Sequence, residues 1–87
     1  MKIDFNKNLI GLDGSQIEGA HMGKLVASTL ASANKGDALK FWNWATKFHE
    51  GEVVDLDPSD AETLKNFIKD SEQLTILSKA QILAEFK

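Results

Sequence analysis

Apolar positions along this chain change their spacing from one stretch to the next, and each change marks an element. Near the start, Ile3 and Phe5 alternate with polar residues, the two-residue period of a half-buried strand. Asp13-Gly14 is a favoured hairpin turn, so residues 1–20 are predicted to be extended and folded as a short hairpin. Because an isolated hairpin is marginal in water, it is expected to lie against helices.

From Met22 the period becomes helical. Met22, Leu25, Val26 and Leu30 predict a helix over 22–33, with Ala27, Ser28 and Ala31 elsewhere on its surface. Asn34-Lys35-Gly36-Asp37 interrupts it, with a glycine suited to a helix end and an aspartate suited to capping the next start. A second helix over 38–50, antiparallel to the first, follows. Glu52 to Leu56 is expected to run extended, able to pair with the N-terminal strand. Asp57-Pro58-Ser59-Asp60 then supplies a capping aspartate, a proline at the first helical position and an acid near the positive dipole end. The helix it opens, over 58–70, should bury Ala61, Leu64, Phe67 and Ile68. A terminal amphipathic helix over 72–86 places Ile76, Leu77, Ala80, Leu83 and Ala84 on one face, and Leu74, Ile82 and Phe86 add apolar surface. The expected fold is α+β and mostly α: one domain over residues 1–87, with four helices and a short N-terminal β-hairpin.

The second helix is the most unusual element. At about 100° per residue, Phe41, Ala45 and Phe48 stack on one line, Trp42 and Trp44 fall on opposite flanks, and Leu39 lies beyond Trp42, giving an apolar arc roughly 220° wide. A surface helix hides a stripe of little more than about 100°. Two arrangements satisfy such an arc. Either the helix is the centre of a small bundle, wrapped by the other three with both indoles in the core, or one indole, with Leu39 or Phe48 nearby, stays outside and anchors a partner. A chain of 87 residues builds one modest core and has few elements to spare as cover. Leu39, Trp42, Trp44 and Phe48 are therefore the expected partner-contacting residues, with self-association the simplest version.

Composition narrows the function classes. With 43% hydrophobic and 26% charged residues the chain has an ordinary globular make-up. It contains no cysteine, which excludes disulfides, thiol nucleophiles and thiolate metal sites. No apolar run approaches the roughly 18 residues of a membrane span, and the start lacks a secretory signal, so a soluble cytoplasmic protein is expected. All ten cationic residues are lysine, whereas arginine supplies the bidentate contacts typical of base reading. Residues 1–20, 21–51 and 52–87 carry net charges of −1, +2 and −4, and the acidic last third would repel a phosphate backbone. Nucleic acid is an unfavoured partner. A helix-turn-helix over residues 22–50 has the right outline, but its second helix is rich in Phe and Trp where bases would be read.

Candidate chemistry is sparse. Asp55, Asp57 and Ser59 imitate the opening of a calcium loop, yet Asp60 stands where a glycine is needed and Asn66 where a bidentate glutamate should be. A capped helix start is the better account. His21 and His49 lie in different segments with no paired ligand motif, and lone histidines near helix ends usually cap or face solvent. The chain has no serine elbow, and Gly11-Leu12-Asp13-Gly14-Ser15 lacks the spacing and the lysine of a phosphate loop. No catalytic residue, metal ligand or cofactor is expected, and the protein is read as non-enzymatic.

The order of segments resembles small proteins encoded in tailed-phage and prophage genomes. The likeness spans an opening of the type KIDFN with an Asp-Gly turn, a helix like MGKLVASTLASA, the stretch from Gly36 to Asp70, and a tail like LTILSKAQILAEF. It implies life in a bacterial host cytoplasm, association with virions, and a role by protein contact without a catalytic signature. Two contact roles fit: assembly or virion structure through the apolar arc, or modulation of a host protein through an acidic face built on Asp55, Asp57, Asp60 and Glu62.

Overall fold

Every helix begins on a side chain that accepts a hydrogen bond from the backbone amide three residues later, a partner for an N–H that the helix itself cannot pair. In the computed structural model, which describes residues 1–86, His21 Nδ1 accepts from Lys24 N at 3.2 Å and opens α1 (Met22–Ala31). Asp37 accepts from Lys40 N at 3.1 Å and opens α2 (Ala38–His49). Asp57 does the same for α3 (Pro58–Asp70) at 2.7 Å, and Thr75 for α4 (Ile76–Leu83) at 3.2 Å. Two further amides of α1 are met from outside: Met22 N donates to Lys7 O and Gly23 N to Phe5 O. The segment between the first strands is thereby laid across the helix start.

The strands form two small antiparallel pairs. β1 (Lys2–Ile3) pairs with β4 (Val54–Asp55), Ile3 opposite Val54. β2 (Asn8–Ile10) pairs with β3 (Gln16–His21) in a hairpin whose turn runs through Asp13 and Gly14, the glycine at φ 85°. The predicted hairpin therefore exists, but Lys2 and Ile3 belong to the other pair. Register shifts between Asn8 and Ile10, and Gly19 at φ 77° takes up the irregularity in β3; a positive φ there suits only glycine at low cost.

The fold is α+β and mostly helical, as the periodicity predicts. Ile3, Phe5, Val26, Phe48, Leu56, Leu64, Ile68 and Ile82 form the centre of one continuous core. Phe5 and Phe48 meet with ring centroids 4.7 Å apart, joining the N-terminal segment to α2. Close approach of α1 to the end of α2 depends on Gly23, where a Cβ would stand 2.5 Å from Phe48 O. At the end of α2, Gly51 at φ 80° completes a Schellman closure, with its own N–H donating to Phe48 O and Glu52 N–H to Lys47 O.

The last helix departs from expectation in length and in facing. It covers Ile76–Leu83, not 72–86. Ser71 leaves α3 in an extended conformation, Leu74 is buried in the connection, and the helix starts only after Thr75. With Leu74 fixed in the core, the inward side of α4 is Ser78 and Ile82, while Ile76 is 86% exposed. Of the predicted stripe, Leu77 and Leu83 pack against the core, whereas Ile76, Ala80 and Ala84 face outward.

Candidate contact surface

The apolar arc of α2 is covered along one flank and open along the other. Trp44 is 4% exposed and stacks on Phe41 at 5.6 Å, and Phe41 in turn meets Phe67 of α3 at 5.1 Å. Phe48 is 1% exposed against Phe5. Trp44 and Phe48 are thus core residues and not surface anchors, because α3 and the N-terminal segment occupy the side they face. On the opposite flank Trp42 is 63% exposed and Leu39 84%. Of the four residues expected to touch a partner, two are on the surface, and they are adjacent turns of one helix.

Trp42 stands beside a shallow groove between α1 and α2. Ala27, Ser28 and Ala31 on α1 face Ala45 and Thr46 on α2, and their short side chains leave a depression of about 520 Å³. A second depression of about 370 Å³ lies on the other side of the indole, towards Lys35 and Gly36. Trp42 is a wall of both. Lys24, His49 and Glu50 rim one end of the face, and Lys35 lies at the other.

The acidic residues are engaged in the fold. Asp57 caps α3, and Asp60 accepts from Lys40 Nζ at 2.7 Å, tying α3 to α2. Asp60's hydrogen bond, with its charge, holds the Lys40 ammonium above its ordinary pKa. Asp55 lies 3.4 Å from the Met1 amine. Glu62 points to solvent. Three of the four carboxylates proposed as an acidic face are therefore held by interactions within the chain.

His21 is similarly occupied. With Nδ1 accepting from Lys24 N, the proton sits on Nε2, which donates to Asn6 Oδ1 at 3.0 Å. Among the described residues no group of three or more His, Asp or Glu is placed to hold a metal ion. No described helix is long and apolar enough to cross a membrane.

The groove itself was not anticipated from the sequence, although its signal was present in the small residues of α1 at positions 27, 28 and 31. Gln81 was missed altogether. Its Oε1 accepts from Ile10 N at 2.8 Å and its Nε2 donates to Ile10 O at 2.7 Å, so one amide side chain replaces a neighbouring strand at the edge of β2. No protein-family model, curated protein or solved structure matches this chain.

Proposed function

We propose that this chain is a non-enzymatic protein-contact module that works through the α1–α2 face, with Trp42 as its anchor and Leu39 beside it. The observation that supports this reading is a tryptophan almost two-thirds exposed on a helix whose other aromatic residues are buried, next to a groove floored by small apolar side chains. Exposed aromatic residues bordered by pockets are the usual centres of protein interfaces, where a few large side chains carry most of the binding energy. The groups that catalysis would draw on have structural work: His21 and Asp57 cap helices, and Asp60 pairs with Lys40. The resemblance in segment order to small tailed-phage and prophage proteins supports a setting in virion assembly within a bacterial host cytoplasm.

Photocrosslinking in bacterial cells tests the reading. A benzoylphenylalanine in place of Leu39 is expected to give protein adducts that Trp42→Ala diminishes, whereas the same probe in place of Glu62, on α3, gives none of them. Position 39 without adducts, or with the same adducts as position 62, overturns the proposal.

A further inference from the structure

Resting on the contact role proposed above, we infer that the occupant of the α1–α2 groove is a second copy of this chain, related by a two-fold axis beside Trp42 with the two α2 helices antiparallel. The face is complementary to itself under that operation, as an isologous interface requires. In shape, it offers a projecting indole directly beside a depression floored by Ala27, Ser28, Ala31 and Ala45, so each copy supplies the knob that the other's groove lacks.

In charge, the two ends of the face differ in the way the axis demands. Glu50 lines the depression on one side of Trp42 and Lys35 the depression on the other. The two-fold exchanges the ends. Glu50 then meets Lys35 of the second copy. Stacking with the ends in register would instead oppose Lys24 to Lys24 and Glu50 to Glu50. Among the described residues Lys24, Lys35 and Glu50 enter no ion pair within the chain. Like charges in contact suppress the wrong arrangement, while opposite charges fix the register.

Sedimentation equilibrium of the full chain at low ionic strength, over micromolar to millimolar concentration, tests this. The wild type is expected to dimerise, and Trp42→Ala to raise the dimer dissociation constant at least tenfold while the circular dichroism spectrum is unchanged. Glu50→Lys and Lys35→Glu should each raise it severalfold, and the double exchange should restore most of the loss. A chain that stays monomeric at millimolar concentration overturns the inference, as does a dimer indifferent to Trp42→Ala or one in which the double exchange is no better than the singles. A monomer that still yields Leu39-position adducts with another protein removes the second copy as occupant and leaves the contact role standing. A monomer without adducts removes both.

Discussion

Two tryptophans two positions apart have opposite fates, and mutation should separate them. Trp44→Ala removes a buried ring stacked on Phe41 and is expected to cost about 3–5 kcal/mol. Trp42→Ala deletes a surface indole and should stay within about 0.5 kcal/mol of wild type; urea unfolding of the two variants checks the contrast. The width of the arc on α2 left open whether both indoles would be core or one would stay outside, and which. That depends on where Phe67 of α3 arrives, a contact between residues 41 and 67 that no local pattern encodes. Lys40, raised above its ordinary 10.5 chiefly by its bond to Asp60, favours the fold below that value and loses the contribution as pH rises through the raised one. Asp13, lowered from 3.8 by the Ser15 hydroxyl and amide, contributes above 3.8 and loses it as pH falls through the lowered value. Melting temperatures of Lys40→Met and wild type should therefore converge above pH 10.5. Both groups lie at the surface, so each effect is small.

Among the elements, the helices with the clearest ends were the most legible. Asp37 and Asp57 announce α2 and α3, and both start where predicted. For α4 an unbroken apolar content hid a late start, because Leu74 enters the core from a connection and not from a helix. Gln81 carries no mark of its role in the pattern, since a polar side chain that bridges to a strand 71 residues away has no signature in sequence. Gln81→Leu should cost about 0.5–1.5 kcal/mol and speed hydrogen exchange at the Ile10 amide, measured by NMR. Gly51→Ala, at φ 80° and with its Cβ 2.9 Å from Asn6 Oδ1, should cost about 1–2 kcal/mol in thermal or denaturant unfolding.

For the molecule as a whole, one inner and one outer indole make a built-in reporter of the α1–α2 face. In dilute solution, acrylamide should quench the Trp44→Phe variant, which keeps only Trp42, far more than Trp42→Phe, which keeps only Trp44. Quenching of Trp42 should then fall as concentration rises, if the face closes on a second copy. The mostly helical architecture follows from periodicity and capping. The extended stretch around Val54 pairs with the N-terminal strand as expected, but that Lys2 and Ile3 leave the hairpin for this pair is not legible in the pattern, because pairing across 50 or more positions is chosen by the finished core. That same pairing governs the order of events in folding. Ile3 is wholly enclosed and its strand neighbour is Val54, whereas α1 and α2 are joined by a short turn and can meet early. Closing so long a loop is slow compared with local contacts, so the head of the chain must wait for its middle to be synthesised. Ile3→Val should consequently accelerate unfolding while hardly altering the refolding rate, as for any contact made after the transition state.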